Sequence, residues 1–155
     1  MNELTGDFSK YLTDEELAKV APMLERLKTL DDRNEKQDSF MSFVKYVWPQ
    51  FIEGRHHKIY AQKLQDVADG KLKRLIINMP PRHTKSEFAS YLFPTWLMGK
   101  RPDLKIIQAT HTAELAVGFG RKIKNLIESE DFKDVFPSVS LATDAKASGR
   151  WSTNG

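Results

Sequence analysis

A loop at residues 79–86, Met-Pro-Pro-Arg-His-Thr-Lys-Ser, constrains what this chain can fold into more than any other feature. It follows an apolar run at residues 72–79, which ends at a Pro-Pro pair and predicts a buried strand. Apolar residues at helical spacing follow from residue 85 to about residue 97 and predict a helix. In a strand-to-helix loop, the backbone N–H groups and the helix N-terminus point toward a bound anion. The loop is therefore a candidate phosphate-binding site.

The residue types in this loop suit phosphate chemistry. Lys85 would bring a positive charge to the β- and γ-phosphates of a nucleotide, and the hydroxyl of Ser86 would bind Mg²⁺. Arg82 is either a second cation for the γ-phosphate or a surface arginine that pairs with a carboxylate. The general pattern G-x-x-x-x-G-K-[ST] has glycines where this chain has Met79 and Thr84, so an ordinary strand-to-helix turn is the alternative interpretation. A positive φ at position 84 would strain a β-branched residue.

A second apolar run at residues 105–110 predicts another strand. Thr112 follows it at the position of a helix N-cap, and apolar residues then recur at helical spacing up to Ile127. The order strand, helix, strand, helix predicts parallel strand pairing. The expected fold class is therefore α/β, with a parallel βαβ core of the P-loop NTPase type.

The first 70 residues are predicted to form a helical subdomain. Thr13 followed by Glu16 is a capping-box pattern, and apolar residues recur at helical spacing as far as Leu30. Pro22 lies within this pattern and is expected to kink or divide the helix. The polar run at residues 31–37 is expected to be a connection. Two further helices are predicted, from about Phe40 to before Pro49 and from about His56 to Ala68.

Charge is uneven along the chain. Residues 1–40 carry 6 Lys and Arg against 10 Asp and Glu, whereas residues 41–155 carry 18 against 11. The basic part would attract polyanions such as nucleotides or DNA, although ordinary solvated surface explains an imbalance of this size equally well.

Several classes of site are excluded by composition and spacing. The chain has no cysteine, which excludes disulfides, thiolate zinc sites and cysteine nucleophiles. His56 and His57 are adjacent and would not face the same way on a helix, so we do not expect a zinc site there. No apolar run approaches the roughly 18–20 residues needed to cross a bilayer, and the first residues lack the features of a secretory signal.

Residues 74–87, Arg-Leu-Ile-Ile-Asn-Met-Pro-Pro-Arg-His-Thr-Lys-Ser-Glu, resemble the ATPase signature of the large terminase subunit of tailed bacteriophages. That family typically has P-P-R-H-G-K-S in this loop, so Thr84 stands at its glycine. Residues 93–102 are similar to the family pattern F-P-x-W-x-x-G-x-x-P, and residues 119–127 resemble its downstream helix. Phe136-Pro137 and the closing residues 151–155 agree as well. The resemblance covers about residues 40–155 and keeps its order.

This resemblance implies an ATPase that drives double-stranded DNA into a procapsid, in the host cytoplasm and away from membranes. ATP and Mg²⁺ would be the cofactors, with Ser86 on the metal. Residues 71–155 would be the first part of a P-loop ATPase domain. The acidic metal motif and the nuclease domain of the family are absent, which favours a piece of a longer protein or a short relative with slow or no hydrolysis. The nucleotide-binding residues would be Pro81, Arg82, His83, Thr84, Lys85 and Ser86, with His83 in a structural role.

The resemblance also suggests more distant site residues and partners. Tyr60 or Gln62 would contact adenine, and Arg121 would reach the nucleotide of a neighbouring copy in a ring. Each has a plainer alternative as an ordinary helix residue facing core or water. The partners would be DNA held through its phosphates, the portal and the small terminase subunit. Two other functions stay open: a different P-loop enzyme, such as a helicase or kinase, and a non-catalytic module that binds the small subunit or portal.

Overall fold

The computed structural model of this chain describes residues 13–142 and 151–154. The chain divides into two compact units, Met1–Asn34 and Glu35–Gly155. In the described residues the secondary structure consists of helices and one isolated β-bridge. The helices are α1 (Asp14–Asp38), α2 (Phe40–Val47), α3 (Arg55–Ala68), α4 (Lys85–Glu87), a π-helix (Phe88–Leu92), α5 (Phe93–Lys100), α6 (Ala113–Glu128) and α7 (Glu130–Val135).

Helix α1 begins with the predicted capping box, which is confirmed. The backbone N–H of Thr13 donates to Glu16 Oε2 at 2.9 Å, and the N–H of Glu16 donates back to Thr13 Oγ1 at 3.4 Å. The helix continues through Pro22, so the prediction of a division there was wrong.

The predicted connection at residues 31–37 was also wrong, because these residues extend α1. Tertiary contacts hold the last turn in helical form. The indole Nε1 of Trp96 donates to the carbonyl oxygen of Lys36 at 3.1 Å, and the side-chain amide of Gln37 donates to the carbonyl oxygen of Val135 at 2.6 Å. These contacts supply partners for the helix end that a polar sequence alone does not reveal.

Helices α2 and α3 lie close to their predicted bounds. Ser39 caps α2 by accepting a hydrogen bond from the N–H of Ser42 at 3.2 Å. Helix α3 ends as expected before Asp69-Gly70, where Gly70 has a φ of 74°. A left-handed glycine just past a helix is a common C-terminal stop because it lacks a β-carbon. Both helices belong to the second unit, together with the candidate loop.

The core of the second unit is aromatic. Phe40 is 1% exposed and lies at its centre, edge-to-face with Phe88 at 5.6 Å and with Phe93 at 5.5 Å between ring centroids. Trp96 packs on the same ring at 5.5 Å. Aromatic pairs of this geometry contribute about 0.5–1.5 kcal/mol each beyond the burial of their area. The start of α2 is therefore fixed against the helix that follows the loop.

The predicted α/β fold with a parallel βαβ core was wrong. Residues 72–79 and 105–110 belong to no strand, and the one β pairing in the described part of the chain is the isolated bridge between Leu141 and Thr153. The first apolar run instead contributes side chains to the helical core. Every second residue of this run, Leu75, Ile77 and Met79, packs on that core.

The outward side chains of these two segments stay in solvent. Ile76 is 88% exposed and Ile107 is 96% exposed. A strand forms only when a neighbouring strand accepts and donates its backbone hydrogen bonds, and neither segment has such a neighbour in the described residues. Helices therefore bury the apolar side chains that sequence alone assigns to a sheet.

No helix in the described residues combines the length and the apolar character needed to cross a membrane.

Candidate phosphate-binding loop

The loop between residues 79 and 86 has an unusual backbone. Arg82 has a φ of 63° and Thr84 a φ of 59°, and these are the two non-glycine residues with positive φ in the described part of the chain. The left-handed region costs a residue with a β-carbon about 1–2 kcal/mol. The loop keeps this strain although neither position is glycine. Strain of this kind persists where the surrounding structure requires it, which is often at a binding site.

The same backbone leaves a row of donors free. The N–H groups from Arg82 to Glu87 donate no hydrogen bond to other atoms of the described residues. The first turn of a helix leaves about four such groups unpaired, and the loop adds those that precede it. His83 has a negative φ between two residues of positive φ. Alternation of this kind turns successive N–H groups toward one concave side, which is an anion-binding arrangement.

Two cations flank these donors. The Nζ of Lys85 reaches back across the loop and donates to the carbonyl oxygen of Met79 at 3.4 Å. Lys85 is half-buried and Arg82 is exposed. Neither forms an ion pair within the described residues. Because a carbonyl is a weaker partner for an ammonium group than an anion is, Lys85 is free to exchange it for a phosphate oxygen.

Residues 85–100 form one continuous helical stretch, made of α4, the π-helix and α5, which we call the loop helix. Its π-helical part has an identifiable cause in Pro94, which has no N–H to donate to the carbonyl oxygen of Ser90. The side-chain amide of Gln108 donates to that oxygen instead, at 3.2 Å. The second apolar run, residues 105–110, is thereby attached to the loop helix through the side chain of Gln108. The proline position was the sequence signal for this irregularity.

Tyr60 supports the start of the loop helix from α3. Its ring is 4% exposed and stacks on Phe88 with 5.4 Å between centroids. Its hydroxyl donates to the carbonyl oxygen of Lys85 at 2.9 Å. Burial raises the pKa of this hydroxyl to about 12, so it stays protonated and able to donate. Sequence reasoning selected Tyr60 as an adenine contact and missed this contact with the loop.

Gln62 lies on another face of α3 from Tyr60, since two residues on a helix are about 200° apart. Its side-chain amide donates to Asp66 at 3.2 Å. It also borders an open groove of about 280 Å³. The other residues of the groove are Asp38, Ser39, Met41, Ala61 and Gln65. Tyr60 and Gln62, the two alternative adenine contacts predicted from the sequence, thus lie on different faces of α3.

Three histidines meet beside the loop. The ring of His56 lies 3.8 Å from that of His57 and 5.7 Å from that of His83, between centroids. His83 is exposed, and its Nδ1 lies 2.8 Å from the carbonyl oxygen of Pro81, which fits the structural role expected for it. His57 is buried, and its Nδ1 accepts a hydrogen bond from the N–H of Gly54 at 2.9 Å.

The electrostatics of His57 disfavour its charged form. Burial and the neighbouring His56 lower the pKa of His57, while Glu53 acts in the opposite direction. Its buried Nε2 has no hydrogen-bond partner in the described residues. The neutral ring with the proton on Nε2 satisfies the contact at Nδ1, and a second proton would break it.

Helix α6 contacts the loop helix through Lys122. The Nζ of Lys122 forms an ion pair with Glu87 Oε1 at 2.9 Å. The neighbouring Arg121 is exposed and has no ion pair within the described residues. Adjacent helix residues do not face the same way. Lys122 is therefore the residue of this pair that contacts the loop helix, and Arg121 points elsewhere.

Few side chains at the loop could serve as ligands for a metal ion. Ser86 is exposed and offers a hydroxyl, while Glu87 is paired with Lys122. No group of three or more His, Asp or Glu side chains in the described residues is placed to hold a metal. Mg²⁺ often keeps several waters and is bound by one or two protein groups plus substrate phosphates. A magnesium ion at this loop would therefore need ligands from water or from a substrate in addition to Ser86.

Comparison of the chain with protein-family models, with curated proteins and with solved structures gave no match.

Proposed function

We propose that the loop at residues 79–86 binds the phosphate chain of ATP with Mg²⁺, and that the chain is the ATP-binding part of a motor that packages double-stranded DNA, as in large terminase subunits. The backbone of the loop carries the proposal. Thr84 takes a left-handed conformation at the position where the P-P-R-H-G-K-S signature has glycine. A glycine in that signature suits a conformation that disfavours side chains. The sequence resemblance and the loop geometry thus agree at this position.

The proposed binding mode uses groups that are free in the loop. The N–H groups of residues 82–87 would donate to the phosphate oxygens, and Lys85 would move from Met79 to the β- and γ-phosphates. Arg82 would add a second charge, and Ser86 would contribute its hydroxyl to the magnesium ion. Hydrogen bonds to charged groups contribute about 1.5–3 kcal/mol each. Loss of the Lys85 charge should therefore weaken ATP binding by at least about tenfold.

The DNA would be held by phosphate contacts with little base readout. Helix α6 offers Arg121 and Lys124, neither of which forms an ion pair within the described residues. Because Lys122 on the same helix pairs with Glu87 on the loop helix, a nucleotide-dependent movement of the loop helix would reach α6. This gives a physical route by which nucleotide state would change the grip on DNA.

The test is a calorimetric titration of ATP with Mg²⁺ into the wild type and into Lys85→Ala. A matched control is Lys133→Ala, which removes an exposed lysine from α7 whose partner Glu130 is also exposed. We expect the control to bind as the wild type does and Lys85→Ala to bind at least about tenfold more weakly. Equal binding by all three proteins, or no binding by the wild type, would contradict the proposal.

A further inference from the structure

The hydroxyl of Tyr60 meets the loop helix at one particular point of its backbone. It donates to the carbonyl oxygen of Lys85 at 2.9 Å. The backbone N–H of Phe88 donates to the same oxygen. The Tyr60 hydroxyl is therefore a second donor to an oxygen of the helix backbone. The next residues, Phe88–Leu92, form the π-helix, so the contact lies where the hydrogen-bond ladder changes its period.

The position of Tyr60 is well fixed from its own side. The ring is buried in the aromatic core, against Phe88, and α3 is held at its start by the contact between His57 and Gly54. A buried tyrosine loses little additional freedom when its hydroxyl bonds to the helix. Tyr60 is thus a rigid support, and the turn that contains Lys85 is the part that it restrains.

The turn needs such a support because the residue before it is strained. Thr84 has a φ of 59° and is followed directly by Lys85, whose carbonyl Tyr60 holds. A strained backbone relaxes unless its surroundings determine its conformation from more than one side. Relaxation at Thr84 would turn the N–H groups of residues 84–87 away from a common centre.

We propose that Tyr60 is a positioning residue for the candidate loop, because its hydroxyl holds the first turn of the loop helix in the conformation that presents Lys85 and the free N–H groups to an anion. The role in binding rests on the function proposed above, whereas the restraint on the turn is a property of the free protein. The two parts can be tested separately.

The first experiment measures amide hydrogen exchange in the free protein for the wild type, Tyr60→Phe and Tyr46→Phe. Tyr46→Phe is the matched control, because the Tyr46 hydroxyl also makes one hydrogen bond of 2.9 Å, to Asp134. We expect Tyr60→Phe to accelerate exchange by about fivefold relative to the control at the amide of Phe88, which donates to the carbonyl oxygens of Thr84 and Lys85 in this turn. Exchange at Phe88 that is equal in both variants would overturn the proposal.

The second experiment separates positioning from a general loss of stability. ATP with Mg²⁺ is titrated into Tyr60→Phe, Thr84→Gly and the double variant. If Tyr60 restrains a strained turn, Tyr60→Phe weakens binding about fivefold in the wild-type background and less when Thr84→Gly has removed the strain. An equal loss in both backgrounds would overturn the positioning role. No binding by the wild type would defeat the proposed function alone, since hydrogen exchange still decides whether Tyr60 restrains the turn.

Discussion

The ammonium group of Lys85 lies 3.4 Å from the carbonyl oxygen of Met79, so the lysine spans the loop that it follows. The two residues stand at opposite ends of the segment with the strained backbone. The lysine side chain crosses the loop that carries the free N–H groups. It has no acidic partner among the described residues. An anion that displaced the carbonyl would meet both the charge and the donors at once.

The strain at Thr84 leads to an unusual expectation for a glycine substitution. We predict that Thr84→Gly raises the free energy of unfolding by about 0.5–1 kcal/mol, because relief of the left-handed penalty exceeds the entropy that glycine adds to the unfolded chain. Urea denaturation measures this change. Asn125→Gly on α6 is the control and should destabilise by about 0.5–1 kcal/mol, since its backbone is helical. A Thr84→Gly variant less stable than the wild type would argue against strain at this position.

Gly99 on the loop helix should not tolerate a side chain. A β-carbon there would overlap the ring of Phe136, which is 4% exposed and packs against Phe43 and Phe132. We expect Gly99→Ala to destabilise the protein by about 1–3 kcal/mol, as overpacking does.

Gly118 on α6 is the matched control for Gly99, because a β-carbon built there meets no atom within 4 Å apart from its chain neighbours and the nearby backbone of its own helix. Gly118→Ala should stabilise the protein by about 0.5–1 kcal/mol through its higher helix propensity. Thermal unfolding of both variants measures the contrast. Similar effects of the two substitutions would show that the packing of Phe136 on Gly99 is not tight.

The contact at Ser90 predicts that Gln108 and Pro94 are coupled. Gln108→Ala removes the donor to the carbonyl oxygen of Ser90 and should cost about 1 kcal/mol of unfolding free energy. In a Pro94→Ala background, residue 94 regains an N–H that can serve the same oxygen, so the cost of Gln108→Ala should fall. A double-mutant cycle by denaturant unfolding measures the coupling. Strict additivity would mean that the two donors do not share the oxygen.

Acid should destabilise the protein through His57. Because burial lowers the folded-state pKa of His57 below its usual 6.5, the unfolded chain binds the proton more tightly. The stability from the neutral ring is therefore fully present above about pH 6.5 and is lost as pH falls toward the folded-state pKa. Urea denaturation between pH 5 and pH 8 should show a smaller slope for His57→Gln than for the wild type.

His111→Gln is the control for the acid effect, because His111 is exposed. It should keep the wild-type slope of stability against pH. An equal reduction of the slope in both variants would show that the buried ring is not the source of the pH dependence.

The sequence predicted those elements that depend on local chemistry. The capping box at Thr13, the N-cap at Thr112 and the stop at Gly70 are confirmed, because neighbouring residues alone determine them. The predictions of a connection at residues 31–37 and of strands in the two apolar runs were wrong, because tertiary partners decide the structure of these segments. Trp96 and Val135 hold the end of α1, and helices bury the side chains of the first run.

The candidate site also combines residues that the local sequence identifies with contacts that only the fold reveals. Arg82, Lys85 and Ser86 were chosen from one continuous segment, and the structure places them around one loop with free N–H groups. Tyr60 was chosen for a different contact, because its bond to Lys85 joins residues 25 positions apart. The contact between Lys122 and Glu87 spans 35 positions and was missed, since no local pattern indicates which residue of a basic helix faces inward.

Binding of ATP by the loop can be followed through the shift of backbone amide resonances when ATP with Mg²⁺ is added to the free protein. We expect the largest shifts on the amides of residues 82–87, which donate no hydrogen bond within the described structure. The same amides should shift much less in Lys85→Ala at equal nucleotide. Shifts concentrated instead along the groove beside Gln62, or the absence of any shift at saturating ATP, would contradict binding of ATP by the loop.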